Sequence, residues 1–237
     1  MSKPFQFKQF SAKQDQCAMK IGTDGVLLGA VAPTEQQPFA ILDIGAGTGI
    51  IPLMLAQRSN AEVVDALEID DQAYEQCVDN FEQSPWGDRL FCYHASLQEF
   101  AKEIDDTYDL ITCNPPFYKD DFKTEDASRN LARFEDAMPF EHLVACVSKL
   151  LHEDGVFSVI IPFKEQQAFI DLAEKVGLSP NTILNIRGNA SAELKRSIIN
   201  FSFRESDIDT KELIIENGRH NYTEDYTNLT KDFYLKF

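Results

Sequence analysis

The chain has 237 residues, of which 43% are hydrophobic and 26% are charged. This composition is ordinary for a globular protein and excludes collagen-like, low-complexity and fully disordered chains. Acidic residues outnumber lysines and arginines by 39 to 22, and the net charge of −17 repels phosphate backbones and anionic lipid surfaces. Any nucleic-acid site must therefore be a local basic patch on an acidic body.

The apolar runs, cysteines and histidines of the sequence bear on its cellular compartment and on metal binding. The longest apolar runs, such as 155–163, are far shorter than the roughly 20 residues that cross a bilayer, and no apolar signal core follows the N-terminus. The 5 cysteines form no C-x-x-C pair, and the 4 histidines lack the H-x-x-H spacing of zinc sites. We expect a soluble cytoplasmic protein with no metal, no membrane contact and no obligate protein partner.

From about residue 40, short apolar runs alternate with longer amphipathic stretches, which is typical of parallel strands joined by crossover helices. The predicted strands are 39–44, 63–67, 90–93, 108–113, 155–161, 182–187 and 196–203. The predicted helices are 50–57, 71–82, 140–151 and one around 165–176. We predict an α/β fold with a Rossmann-like, seven-stranded, mostly parallel sheet flanked by helices, whose last strand is antiparallel.

The same pattern predicts a single domain, 1–237, in three parts. The Rossmann-like core spans 39–204. An N-terminal extension, 1–38, is expected to cover the RNA or the cofactor, and a C-terminal extension spans 205–237. The polar stretch 188–195 favours a hairpin between the last two strands, and the charge-dense stretch 118–136 is predicted to be a loop.

Three glycines, Gly45, Gly47 and Gly49, lie between a predicted strand that contains Asp43 and a predicted helix. Glycines allow a tight turn and a close approach of the backbone to a ligand at the carboxyl end of a strand. The spacing is G-x-G-x-G, whereas a dinucleotide fingerprint requires G-x-G-x-x-G. With Asp43 before it, the loop resembles motif I of class I S-adenosylmethionine-dependent methyltransferases, which implies that it faces the cofactor. A glycine turn that serves packing alone is the alternative.

Three other polar residues are candidate cofactor contacts. Asp24, in the turn-like sequence G-T-D-G, could reach the cofactor edge or simply stabilise the turn. Glu68 lies about 20 residues beyond the glycine loop, a separation at which an acidic residue reaches a ribose diol. A solvated charge at a strand end is the alternative for Glu68. Methyltransferases of this class usually place an acidic residue against the adenine after the third strand; here Ser96 is the expected, weaker partner.

The tetrapeptide Asn114-Pro115-Pro116-Phe117 directly follows the fourth predicted strand. Two prolines fix the backbone, so the Asn114 amide and the Pro115 carbonyl are expected to accept hydrogen bonds from an exocyclic amine. Phe117 would stack on the flipped base. N-P-P-[FY] resembles the signature of methyltransferases that act on planar nitrogen, namely adenine N6, guanine N2 or a glutamine amide. That resemblance makes these four residues catalytic, with Asn114 also contacting the cofactor; a plain proline turn is the alternative.

Segments near both ends of the chain restrict the resemblance to one family of these methyltransferases. These segments are F-x-F-K-Q-F at 5–10, M-K-I-G-T-D-G-V-L-L-G at 19–29, R-N-L-A-R at 129–133 and L-T-K-D-F-Y-L at 229–235. Together with the two core motifs, they resemble bacterial tRNA1(Val) adenine-N6 methyltransferases over nearly the whole length. The resemblance implies S-adenosylmethionine as cofactor, the tRNA anticodon stem-loop as partner and methylation of N6 on the adenine beside the anticodon.

Local charge agrees with an RNA partner, because the first 20 residues and residues 187–204 are both net basic. Scattered solvated lysines are the alternative. The residues expected to contact RNA are Lys8, Lys13, Lys20, Lys195 and Arg196. Other N-P-P-[FY] enzymes, which methylate guanine N2 of ribosomal RNA or a release-factor glutamine, remain rival functions, as does a non-catalytic RNA-binding protein on the same fold.

Overall fold

The strands and helices of the chain come from a computed structural model that describes residues 3–116 and 138–236. Phe117, the predicted loop 118–136 and the R-N-L-A-R segment 129–133 lie outside the described residues. The strands are β1 (Phe5–Gln6), β2 (Ser11–Ala12), β3 (Ala40–Ile44), β4 (Val63–Glu68), β5 (Leu90–His94), β6 (Tyr108–Cys113), β7 (Leu151–Pro162), β8 (Ser179–Arg187), β9 (Leu194–Ser202), β10 (Asp209–Ile214), β11 (Glu216–Gly218) and β12 (Asn221–Tyr222).

The helices surround the long strands and include several that the sequence pattern did not predict. They are α1 (Thr23–Val31), α2 (Ile50–Arg58), α3 (Asp71–Glu82), α4 (Leu97–Glu103), α5 (Phe140–Leu150), α6 (Gln166–Glu174) and α7 (Glu224–Thr230). A short 3-10 turn, Phe163–Glu165, leads into α6. None of the helices in the described parts of the chain is both long and apolar enough to span a bilayer.

The central sheet has the order β10-β8-β9-β7-β6-β3-β4-β5. β9 runs antiparallel to β7 and β8, whereas the other neighbouring strands are parallel, so the predicted mostly parallel sheet and its hairpin return are confirmed. The predicted count of seven strands is wrong, because β10 adds an eighth beside β8. Its sequence, D-T-K-E-L-I, is exposed except near Leu213, and an edge strand of this kind has no apolar run to reveal it.

The sheet is covered on both faces because successive side chains of a strand point to opposite sides. Ile41 packs in the layer that contains α1, α2 and the two terminal segments. Leu42 packs in the other layer, with α4, α5 and α6. The structure is therefore doubly wound, and ligands of such sheets gather at the carboxyl ends of the parallel strands.

Helix α1 replaces the turn expected around Asp24. Its sequence contains Gly25 and Gly29, which weaken a helix in isolation. The glycines instead allow close packing on α2, since a Cβ built on Gly29 would lie 2.9 Å from the Met54 sulfur. Tertiary packing thus outweighs the local preference for a turn.

The segments near the two ends of the chain pack against each other beside α1. Phe7 forms an isolated antiparallel bridge with Tyr234, and the Lys8 backbone N–H donates to the Phe233 carbonyl at 2.8 Å. The Phe7 ring stacks on Phe10 at 4.7 Å and on Tyr234 at 5.9 Å between ring centroids. The F-x-F-K-Q-F and L-T-K-D-F-Y-L segments therefore form one packed unit.

Candidate active site

The glycine loop and the Asn-Pro-Pro turn begin at the same edge of the sheet. Ile44, the last residue of β3, pairs with Cys113 at the end of β6 and with Leu67 of β4. Gly45 and Asn114 are the next residues along their strands. Because adjacent strands lie about 4.8 Å apart, the backbone register places the loop, the turn and Glu68 side by side.

All three loop glycines have a positive φ, +75° at Gly45, +54° at Gly47 and +74° at Gly49. A Cβ built on Gly45 or Gly47 would meet no atom within 4 Å, so open space lies above these two residues. A Cβ on Gly49 would lie 2.6 Å from the Phe81 ring, so this glycine is required for packing. The loop combines left-handed backbone with an open face, and both favour a ligand close to the main chain.

Glu68 is nearly buried and holds this loop in place. Its Oε2 accepts from the Gly47 N–H at 2.7 Å, and its Oε1 accepts from the N–H groups of Ile69 and Asp70 at 2.8 and 2.9 Å. A carboxylate has about four acceptor positions, so three backbone donors leave capacity for one more. Contact between Glu68 and a ribose stays a prediction, and the observed role is to tie the end of β4 to the glycine loop.

Asp43 lies beneath the loop and is fully buried. Its Oδ1 accepts from the Thr112 hydroxyl at 2.6 Å, and Oδ2 has no hydrogen-bond partner among the described residues. The pKa of Asp43 is raised to about 7, mainly by burial; the Thr112 hydrogen bond opposes the rise, and the nearby Glu68 charge adds to it. The side chain therefore joins β3 to β6 one residue before the two strands end.

The Asn-Pro-Pro turn leaves β6 beside the first turn of α1. Asn114 is half-buried, Pro115 is buried and Pro116 is exposed. The Asn114 amide nitrogen lies 3.9 Å from the position that a Cβ on Gly25 would occupy. At this distance a Cβ would make only an ordinary van der Waals contact, so Asn114 and Gly25 are close neighbours. The predicted stacking residue, Phe117, is not among the described residues.

Asp24 and Arg196, predicted separately as a cofactor contact and an RNA contact, form one ion pair. The Arg196 Nε donates to the Asp24 Oδ2 at 2.7 Å, and its Nη1 donates to the Lys195 carbonyl at 3.0 Å. The pair joins the first turn of α1 to β9. Both side chains are about one-third exposed, so they border the site instead of being buried beneath it.

Ser96 caps helix α4. Its hydroxyl accepts from the Glu99 backbone N–H at 3.2 Å and donates to the Glu99 carboxylate at 2.6 Å. The Ser96 backbone N–H also donates to the Glu99 carboxylate at 3.2 Å, which completes a capping box. The hydroxyl proton already points to Glu99. An adenine contact at Ser96 stays a prediction.

The predicted RNA-binding lysines differ in their surroundings. The Lys13 ammonium pairs with Asp79 at 2.5 Å, and the Lys8 ammonium donates to the Lys231 carbonyl at 2.5 Å. Lys20 and Lys195 are exposed. Lys13 is therefore neutralised by its neighbour, and the exposed lysines are the better candidates for phosphate contacts.

The sequence analysis missed two buried amides on the inner face of α3. Asn80 donates to the Thr48 carbonyl of the glycine loop at 2.9 Å, exchanges hydrogen bonds with the Lys13 backbone at 2.8 and 3.0 Å, and is only 2% exposed. Gln76 accepts from the Gln16 N–H at 3.2 Å. Polar residues four apart on the apolar face of a predicted helix are a signal that could have revealed them.

These amides bring the N-terminal segment close to Glu68. The Cys17 thiol donates to the Gln76 amide oxygen at 3.2 Å. Burial raises the pKa of Cys17 to about 12, and the charges of Glu68, Asp70 and Asp15 contribute to the rise. Residues 13–17 therefore lie beside the glycine loop and Glu68. The Cys17 thiol stays protonated at neutral pH.

Within residues 3–116 and 138–236, no three His, Cys, Asp or Glu side chains come together as a possible metal site. The residues gathered at the sheet edge are instead a glycine loop, carboxylates and an amide on a proline turn. Such groups can hold a nucleoside by its hydroxyls and position an amine by its hydrogens. The site is thus suited to group transfer between two bound organic molecules.

Comparison with known proteins agrees with this geometry. Residues 19–161 match the family model of the methyltransferase small domain. A crystal structure of an Agrobacterium tumefaciens protein, described as a "predicted O-methyltransferase", aligns with a TM-score of 0.66 at 21% identity, covering 89% of this chain and 96% of that one. Pyrococcus horikoshii TYW2 in complex with MeSAdo aligns with a TM-score of 0.56 at 14% identity, covering 84% and 69%. These two likenesses show the fold.

Sequence relatives are much closer. The tRNA1(Val) (adenine(37)-N6)-methyltransferase of Flavobacterium johnsoniae is 61% identical over 233 residues, which cover 98% of this chain and 99% of the relative. A relative of the same name from Bacteroides fragilis is 44% identical over the full length of both chains. Because similarity of this extent includes the core and both terminal segments, the chain belongs to the tRNA1(Val) (adenine(37)-N6)-methyltransferase family.

Proposed function

We propose that this protein uses S-adenosylmethionine to methylate N6 of adenine 37 in tRNA1(Val), the reaction named for its relatives. The observation that carries the proposal is the pairing of Ile44 with Cys113, which sets the glycine loop beside the Asn-Pro-Pro turn. A cofactor bound at the first and an amine bound at the second would lie within reach of each other. We also propose that the enzyme acts in the bacterial cytoplasm.

The glycine loop fits S-adenosylmethionine, which supplies an activated methyl group when bound. The open space above Gly45 and Gly47 admits a ligand directly onto the backbone. Glu68 lies at the edge of this space with acceptor capacity for one further donor, as a ribose hydroxyl would provide. Residues 13–17 lie on one side of this space, where Asn80 links the Lys13 backbone to the Thr48 carbonyl of the loop.

The Asn-Pro-Pro turn fits an exocyclic amine. The lone pair of adenine N6 is delocalised into the ring, so the amine is a weak nucleophile. Acceptors at the Asn114 amide oxygen and the Pro115 carbonyl would bind its two hydrogens and favour a tetrahedral nitrogen. Alignment of two bound reactants supplies much of the acceleration of such a transfer, without a covalent enzyme intermediate. The flipped base would stack on Phe117.

The exposed basic residues fit the anticodon stem-loop of the tRNA. Lys20 and Lys195 present ammonium groups to solvent, while Arg196 borders the site through its pair with Asp24. Because affinity for nucleic acid depends on the phosphates that are contacted, a few local cations suffice on a strongly acidic protein.

The decisive experiment incubates the protein with labelled S-adenosylmethionine and two tRNA1(Val) transcripts, one with adenine and one with guanine at position 37. We expect N6-methyladenosine in the first transcript and no label in the second. Label on guanine N2, on a protein glutamine or on neither RNA would overturn the proposed function.

A further inference from the structure

A second concave surface lies beside α1, outside the site described above. Its volume is about 920 Å³, and it forms where β1 and the residues after α7 meet the β11–β12 hairpin. We name it the terminal cleft. Its lining includes three half-buried rings, Phe5, Tyr222 and Tyr234, and the polar side chains of Gln6, Asn221 and Thr23.

The rings of the terminal cleft are held rigidly by neighbouring aromatic side chains. Tyr222 stacks on Tyr226 with ring centroids 5.1 Å apart and planes at 24°. Tyr234 stacks on Phe7 at 5.9 Å and 22°, and its hydroxyl is hydrogen-bonded to that of Tyr226. A ring that is already fixed loses little rotamer freedom when a ligand stacks on it, so the cleft is prepared for flat aromatic ligands.

The terminal cleft is close to the Asn-Pro-Pro turn. Thr23, which lines the cleft, begins α1, and two residues later Gly25 faces the Asn114 amide. The cleft and Asn114 therefore lie on different sides of the first turn of α1, and a helix with its side chains is about 10 Å across. A strand of RNA whose target base reaches Asn114 would bring a neighbouring nucleotide to the cleft.

The chemistry of the lining favours a base over a phosphate. Glu216 and Lys236, which are both in the lining, carry opposite charges, so the cleft offers no concentrated positive field. The amides of Gln6 and Asn221 supply donors and acceptors, which match the edge of a nucleobase. Lys8, beside the cleft at the junction with Lys231, places a positive charge where the backbone of such a strand would run.

We propose that the terminal cleft binds an unpaired base of the RNA substrate, a near neighbour of the methylated adenine, by stacking it on Tyr222. The amides then read the edge of that base, which makes the cleft a specificity site. This proposal rests on the proposed function because it takes an RNA loop as the substrate.

The test uses anticodon stem-loops that carry 2-aminopurine at single loop positions on either side of the target adenine. Stacking quenches its fluorescence, so we expect a quench at one position on binding to the wild-type protein. Tyr222→Leu should abolish the quench and weaken RNA affinity by about 5- to 100-fold, since stacking on aromatic residues contributes that much per base. It should raise KM for RNA and leave kcat unchanged.

Two controls separate stacking from folding. Tyr222→Phe keeps the ring and should keep the quench, and Phe91→Leu removes an exposed ring on β5, away from the cleft, and should have no effect. If Tyr222→Leu fails to fold, as judged by cofactor affinity and melting, the double variant Gln6→Ala, Asn221→Ala replaces it, because both side chains are exposed. Methylation of adenine N6 with wild-type RNA affinity and quench in the folded cleft variants would overturn this proposal and leave the proposed function standing.

Discussion

Glu68 and Asn114 are both polar residues at strand ends, but the fold holds them differently. Glu68 receives three backbone N–H groups, so its carboxylate is part of the loop structure as well as a candidate ligand. Asn114 is held through the backbone, because the buried Pro115 and the following Pro116 restrict the chain. A substitution at Asn114 should therefore change chemistry more than it changes the shape of the site.

We expect Asn114→Ala to fold and to lose roughly 100-fold in the single-turnover rate of methyl transfer, the effect of removing one preorganised polar contact from other active sites. Circular dichroism would check the fold, and rapid-quench measurements on the anticodon stem-loop would give the rate. Asn114→Asp is the matched comparison, since it keeps an acceptor at the same place and should lose less. A wild-type rate in Asn114→Ala would remove this residue from the mechanism.

Asp43 provides a prediction about stability. Because burial raises its pKa to about 7, the folded protein keeps a proton between about pH 4 and 7 that the unfolded chain has lost. The free energy of unfolding should then fall with rising pH by about 1 kcal/mol per unit across this window, through this group. Asp43→Asn cannot titrate and keeps an acceptor for Thr112.

The measurement for Asp43 is urea unfolding of wild type and Asp43→Asn at several pH values. The free energy of unfolding of Asp43→Asn relative to wild type should increase from pH 5 to pH 7 and stay constant above pH 7. A difference that does not change with pH would show that the buried carboxyl does not titrate in this range.

At the scale of elements, helix α3 connects the glycine loop to the N-terminal segment. Asn80 hydrogen-bonds Thr48 of the glycine loop on one side and the Lys13 backbone on the other. Gln76, one turn earlier, binds the backbone of Gln16. The N-terminal segment is thereby tied through α3 to the glycine loop and is not a separate appendage.

We expect Asn80→Ala to weaken S-adenosylmethionine binding by about 10-fold and to lower the free energy of unfolding by about 2 kcal/mol, because it leaves buried backbone groups unpaired. Calorimetry and urea unfolding measure the two effects. Gln83→Ala, at the exposed C-terminal end of the same helix, is the control and should change neither. Unchanged cofactor affinity in Asn80→Ala would show that the N-terminal segment does not shape the site.

The elements also show how far the sequence could be interpreted. Strands such as β3 and β6 were predicted because their apolar runs are buried on both faces and end at glycine or proline. Helix α1 was not predicted, because Gly29 favours this helix only through its close packing against Met54, which lies on another helix. The support that Glu68 gives to the loop, and the bridge made by Asn80, depend on contacts between distant parts of the chain, which no local pattern contains.

At the scale of the whole molecule, the net charge of −17 makes local cations decisive. Lys20 and Lys195 are exposed, while Lys13 is paired with Asp79. We expect Lys20→Gln with Lys195→Gln to weaken RNA binding and to reduce the slope of log affinity against log salt by about 1 to 2, because each lost phosphate contact removes slightly less than one released counterion. Cofactor affinity should not change.

The control for this pair is Lys164→Gln with Lys175→Gln, which removes the same charge from exposed positions around α6. Affinity measured by fluorescence anisotropy between 50 and 200 mM salt, a range of the order over which such contacts are resolved, gives the slopes. Equal slopes in the two double variants would mean that only the overall charge matters and that the RNA footprint lies elsewhere.

The bridge between Phe7 and Tyr234 has a consequence for the order of biosynthesis. The Lys8 ammonium binds the Lys231 carbonyl 223 positions later, so Phe7 and Lys8 lack these C-terminal partners while the ribosome is still adding the later residues. At bacterial rates of about 5 to 20 residues per second, this delay is on the order of 10 to 45 s. The aromatic unit that borders the terminal cleft is therefore assembled last, after β10 has supplied the final strand of the central sheet.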